Sequence, residues 1–185
     1  MRHNPKLEIM KKSALFALLL AFAAVSCKKS DSGSSGYHMT ATIGGQAKNF
    51  NQTPPIATNQ IVGGEGVLTI TGILNASTGE SFMIMLTNTD GKLFAAGTYT
   101  DDMDQVDMQA VYTVSVAKQY YAGTMMASDA VTQQITIKNH LKIVITAIDT
   151  KTVKGTISGD LFDGGDVTVA PTAMVNGDFY AQIHQ

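Results

Sequence analysis

The chain has no tryptophan, one cysteine and four prolines in 185 residues. It also has a single arginine, Arg2, and charged residues make up only 15% of it. Each shortage excludes something. One cysteine cannot close a disulfide within the chain, so stability must come from core packing and backbone hydrogen bonds. A domain of this size needs no covalent staple. Without tryptophan, the strongest platform for stacking on sugars is missing. Without arginine beyond Arg2, the usual reader of base edges is gone. A formal net charge of −2 offers no basic face for phosphates, so no nucleic-acid partner is expected. No apolar run approaches the roughly 20 residues of a spanning helix. Neither G-x-S-x-G nor H-E-x-x-H occurs, so neither a nucleophile elbow nor a zincin site is written in the chain.

What is present begins with a tripartite N-terminus. Lys11 and Lys12 precede the 12-residue apolar run Ala14–Val25, and Ala24, Val25 and Ser26 supply small residues before Cys27. A basic start, a short apolar stretch and a small-residue cleavage site describe a secretory signal over residues 1–26. Met10-Lys11-Lys12 is itself a normal signal start, so Met10 is expected to be the initiator, with residues 1–9 an upstream extension.

Ala24-Val25-Ser26-Cys27 resembles the lipobox of bacterial lipoproteins, with Ala24 in place of the commoner leucine. The resemblance implies cleavage between Ser26 and Cys27 and transfer of a diacylglyceryl group, carrying chains such as palmitate, to the Cys27 thiol. A thiolate is the required nucleophile. Each buried CH₂ contributes about 0.8 kcal/mol, so two or three acyl chains give a lasting anchor where one is marginal. Lys28–Gly36 then reads as a flexible tether of serine, glycine and lysine. The expected address is the bacterial cell envelope, at the outer membrane. Lys28 after the cysteine and the lone nearby acid Asp31 leave the periplasmic and surface faces both open.

From Cys27 onward the chain holds 9 lysines and 14 acidic residues, a net charge of −5 with histidine neutral. Residues 37–185 suit one domain. Strand signals recur along it. Tyr37–Ile43 and Gln46–Phe50 flank Gly44-Gly45, a hairpin signature. Gly66–Leu74 follows. Ser81–Thr87 is apolar on both faces, as a central strand would be. Gly97–Thr100 is short and extended. Tyr112, Val114 and Val116 alternate with Thr113 and Ser115. Ile135–Ile137, Leu141–Ile148, Val153–Phe162, Val167–Val169 and Gly177–Ile183 complete the series, with Asp160 on the outer face of its strand. Gln52–Gln60 and Asp101–Met108 read as long loops. The only helical signal, a weak one, lies within Tyr121–Val131. About nine short strands with regular turns predict an all-β fold, an antiparallel β-sandwich, with a lipocalin-like β-barrel as the alternative.

"TATIGGQAKNF", "AAGTYT", "QQITI" and "VKGTISGDLFD" followed by "VNGDFYAQI" are similar to recurring phrases of small Bacteroidota lipoproteins of unknown function. The resemblance implies an all-β domain and carries over no active site.

Candidate chemistry is sparse. Asp101, Asp102, Asp104 and Asp107 form the densest acidic run, and clustered carboxylates suit Ca²⁺, although the EF-hand spacing fails. The ordinary reading is a solvated loop beside a strand edge. Asp160, Asp163, Asp166 and Asp178 offer carboxylates for a glycosidase pair, but Asp-Gly and Gly-Asp also suit turns. His38, His140 and His184 are isolated, and no cofactor is expected. Met83, Met85, Met125 and Met126 are soft donors for Cu(I), and core filling is their commoner use. Tyr120, Tyr121 and Tyr180 are the candidates for stacking on a glycan. The expected function is a lipid-anchored, non-enzymatic binding or scaffolding domain, with a glycan or another envelope protein as its partner. A small-ligand carrier of barrel type is the alternative, and a carbohydrate-active enzyme comes third.

Overall fold

Turn chemistry sets several of the strand boundaries. The computed structural model describes residues 36–184; the leader, Ser26, Cys27 and most of the tether lie outside the described residues. Strands β1 (His38–Ile43) and β2 (Gln46–Asn49) are joined by Gly44 and Gly45, at φ of 58° and 78°. Strands β3 (Ile56–Val62) and β4 (Glu65–Asn75) are joined in the same way by Gly63 and Gly64, at 63° and 93°. Two consecutive positive φ values match the twist of the flanking strands, and glycine adopts them without steric cost. There follow β5 (Glu80–Asn88), β6 (Gly97–Thr100), β7 (Val106–Ser115), β8 (Lys118–Gly123), a helix α1 (Thr124–Thr132), β9 (Lys142–Ile148), β10 (Thr152–Asp163) and β11 (Thr172–Ile183).

The strands form one 11-stranded sheet in the order β2-β1-β11-β3-β4-β5-β7-β8-β10-β9-β6, and β11 also pairs with β10. That extra pairing folds the sheet onto itself. The closure is made by narrow corners: Ile56 and Ala57 meet Gln182 and Ile183, and Tyr120 and Tyr121 meet Asp163 and Phe162. β1–β2 and β9–β6 run outside that closed path. The result is an all-β, sandwich-like body rather than a clean barrel of lipocalin type. The pairing of its named strands is antiparallel except at the β3–β11 corner, which is parallel, as is the single bridge between Asn51 and Ile73.

Alternation fills the interior. Leu68 and Ile70 from β4, Phe82, Ile84 and Leu86 from β5, and Ile143 and Ile145 from β9 meet Val153, Ile157, Leu161, Met174 and Phe179 in one cluster. Among the described residues, no buried side-chain nitrogen or oxygen lacks a hydrogen-bond partner.

The β10–β11 seam has an inverted symmetry. Gly155 lies opposite Phe179, and Ile157 lies opposite Gly177. A Cβ on Gly155 would stand 2.5 Å from Phe179 Cζ, and one on Gly177 would stand 2.4 Å from Ile157 Cγ2. Each large side chain leans over the glycine across from it. The spacing G-x-I on one strand and G-x-F on the other follows from that pairing. Beyond it, Asn176 takes φ 53° where the register shifts between Ile157 and Gly159, the behaviour of a bulge.

The loop before β6 is pinned to β3. The Asn59 amide donates from Nδ2 to the Phe94 carbonyl and accepts at Oδ1 from the Phe94 N–H, both at 3.1 Å. This sets the Phe94 ring into the core, edge-on to Tyr99.

Several expectations need correction. Gln52–Gln60 is not all loop: β3 begins at Ile56, and β7 begins at Val106, inside the expected Asp101–Met108 loop. Ile135–Ile137 and Val167–Val169 are not strands; Ile135, Ile137 and Val167 join Met126, Ala130 and Phe162 in a second small core under α1. Asp160 is not on a solvated face. It is 5% exposed and accepts hydrogen bonds from the Asn139 N–H and Nδ2.

Candidate binding groove

A groove lies on the outer face of the β5–β7–β8 region, where α1 crosses it. The strand pairs Met85–Gln109 and Thr87–Asp107 form its floor. Tyr121 and Ala122 from β8 and Thr124, Met125, Met126, Ser128 and Asp129 from α1 form its wall. Its volume is about 380 Å³.

Local sequence dictates the position of α1. Gly123 has φ 132°, and a Cβ there would stand 1.9 Å from the Met108 carbonyl oxygen. Only glycine lets β8 turn into the helix so close to β7. Thr124 Oγ1 then accepts the Met108 N–H at 3.0 Å. Met126 and Ala130, four apart, are the helix's buried residues. Met125 is 60% exposed.

The groove has one sign of charge. Asp107 and Asp129 are its only ionisable groups besides the Tyr121 phenol, and neither forms an ion pair among the described residues. The Tyr121 hydroxyl donates to Gln119 Oε1 at 2.5 Å, leaving its ring along the groove.

A second groove, about 290 Å³, opens among Gln46, Lys48, Tyr112, Lys118 and Tyr120. Its charges are already matched. Lys48 Nζ and the Tyr112 hydroxyl both donate to Glu80 Oε1, at 3.1 and 2.6 Å. Burial pushes the Glu80 carboxyl up, but the Tyr112 and Lys48 donors outweigh it and leave it below its usual range. The Tyr112 phenol is raised by burial and by Glu80, and the Lys48 ammonium is raised by Tyr112 and Glu80. Tyr112 and Tyr120 stack with centroids 5.9 Å apart, and Lys118 Nζ lies 5.3 Å from the Tyr120 centroid.

The structure disperses the residues singled out from sequence. Asp101 turns inward at 4% exposure: Oδ1 is 2.7 Å from His140 Nδ1, and Oδ2 accepts the Leu141 N–H at 3.0 Å. Asp102 accepts from Thr100 Oγ1 at 2.5 Å, which lowers its carboxyl. Asp104 stays exposed, and Asp107 joins β7 at the groove. The four do not assemble as a Ca²⁺ site. Among the described residues, no three His, Cys, Asp or Glu side chains gather around a place for a metal. Asp160, Asp166 and Asp178 are hydrogen-bonded to Asn139, Thr168 and His38, and Asp163 lies 3.7 Å from Lys118 Nζ. Tyr121 and Tyr120 line different grooves. Tyr180 lies elsewhere, against Tyr37 and beneath Lys154 Nζ, 4.1 Å from its ring centroid. Met85, Met125 and Met126 meet at the first groove, and Met83 does not. Sequence reasoning missed Thr87, Gln109, Ser128 and Asp129. The available signal was outward-facing Met83 and Met85 on a strand already apolar inside.

Comparison of the chain with models of protein families, with curated proteins and with solved structures finds no match.

Proposed function

We propose that this chain is a lipoprotein of the bacterial cell envelope, tied to the outer membrane through Cys27, whose all-β domain works by binding or scaffolding and not by catalysis. The supporting observation is where space is found. A barrel-type carrier keeps its ligand between the sheets, and here Phe50, Phe82 and Phe179, each at most 1% exposed, fill that region. A groove of about 380 Å³ lies outside, between α1 and the β5–β7–β8 face. A small-molecule site measures about 300–1,000 Å³, and this groove falls in that range. On this reading the partner is met at the surface while the anchor holds the domain at the membrane. The partner is a glycan, an envelope protein or a small solute.

The anchor is tested by Cys27→Ser in a bacterial host. The variant should lose the acyl mass, retain its leader and fail to reach the outer-membrane fraction. If it matures and sediments with membranes like wild type, lipid anchoring is wrong. The groove is tested by following the methyl signals of Met85 and Met125 by NMR during a glycan and small-molecule screen.

A further inference from the structure

The α1 groove combines three properties found together in neither the Lys48–Lys118 groove nor the Tyr180 cluster. Its apolar lining is adaptable: Met85 and Met125 carry thioethers on unbranched chains, which reshape around a guest at small cost. Tyr121 is part of its lining, and an aromatic ring attracts cations. Its formal charges are Asp107 and Asp129 alone, with no lysine among the lining residues to balance them.

We propose that this groove binds an organic cation with an apolar body. An ammonium or guanidinium is drawn to the carboxylates of Asp107 and Asp129, and the apolar part lies against Met85, Met125 and Tyr121. This deepens the proposal that the groove is the domain's binding surface, and rests on it. The charge argument is complementarity: an anionic guest would meet two carboxylates and no counter-charge, whereas a cation meets two acids left without an ion pair by the fold. Gln109, Thr87, Thr124 and Ser128 add neutral hydrogen-bonding groups for its polar end.

Two other guests fit less well. A soft metal needs converging sulfurs, but Met126 Sδ lies 3.4 Å from where a Gly165 Cβ would stand, turned toward the second core. An acidic sugar would suit the Lys48–Lys118 groove, yet Lys48 is bonded to Glu80 and Lys118 lies 3.7 Å from Asp163.

The test uses three indoles of one size and different charge: tryptamine, indole and indoleacetate. The chain has no tryptophan, so indole fluorescence reports the ligand directly. Purified full-length chain with isotope-labelled methionine methyls reports the place of binding. Tryptamine should saturate, shift the Met85 and Met125 signals, and bind about fivefold or more tighter than indole, with indoleacetate weakest. Replacing both acids, Asp107→Asn with Asp129→Asn, should weaken tryptamine about three- to tenfold, as expected for two partly exposed ion pairs. Binding of indole should not change. Both positions are exposed, and an unaltered melting temperature will show that the fold is kept. If the three indoles bind alike at Met85 and Met125, selection for a cation is wrong while the groove remains a binding surface. If none of them moves those signals, both proposals fall.

Discussion

Replacing Gly155 with alanine should wedge β10 away from its neighbours. The added Cβ would stand 2.1 Å from the Val144 carbonyl oxygen of β9 and 2.5 Å from Phe179 Cζ of β11, where ordinary contact begins at 3.4 Å. The ring can rotate or shift. The carbonyl belongs to the β9 backbone and cannot turn aside without disturbing the ladder that pairs Gly155 with Ile145 and Thr156 with Val144. Overpacking a filled core costs about 1–3 kcal/mol, and one lost ladder hydrogen bond adds about 1 kcal/mol. A total of about 2–4 kcal/mol should lower the melting temperature by about 5–15 °C for a domain near 150 residues. Thermal unfolding followed by circular dichroism measures this. Gly164→Ala is the control: φ is 60° but no atom lies within 4 Å of the new Cβ, so only the left-handed backbone cost of about 1 kcal/mol applies. Adding Phe179→Leu to Gly155→Ala should relieve the ring contact and leave the carbonyl clash. The reasoning is refuted if Gly155→Ala melts with the wild type or no lower than Gly164→Ala.

Asp101→Ala removes the acceptor for His140 and for the buried Leu141 N–H, and should cost about 2–4 kcal/mol; an unchanged urea midpoint would show the carboxylate to be incidental. Glu80 is held below its ordinary range when folded, so its contribution is complete above the unfolded value of about 4.3 and fades as pH falls through the lower folded value. Glu80→Gln should therefore be less stable than wild type at neutral pH, and the gap should close on acidification; a gap constant from neutral pH to about pH 3 contradicts the ion-pair account.

The parts of the fold legible in sequence were those where neighbouring residues carry the instruction. Gly44-Gly45 announced the first hairpin, and the alternation of Phe179, Ala181 and Ile183 announced the inner face of β11. β3 escaped because Pro54-Pro55 precede it and Ala57 is its only fully buried residue. Ile135, Ile137 and Val167 alternate like strand residues, but their apolar partners are Met126 and Phe162, distant in sequence. The helix was nearly invisible, because two inward residues, Met126 and Ala130, are too few to establish a period. Asp101 read as a solvated acid because its partner, His140, is 39 positions away. The groove depends on a glycine turn, an outward methionine and a helix brought together only by folding, so no single stretch spelled it.

The Phe94 anchor bears on how firmly the loop before β6 is held. Drawing it out would break both amide bonds to Asn59, at about 1 kcal/mol each, and expose a phenylalanine, at about 1.5–3 kcal/mol more. At about 1.4 kcal/mol per factor of ten, the form with Phe94 withdrawn is present in roughly one molecule in three hundred to several thousand. The loop before β6 is therefore latched to β3 almost all of the time, and its Phe94 amide should exchange hydrogen with solvent only through that rare opening.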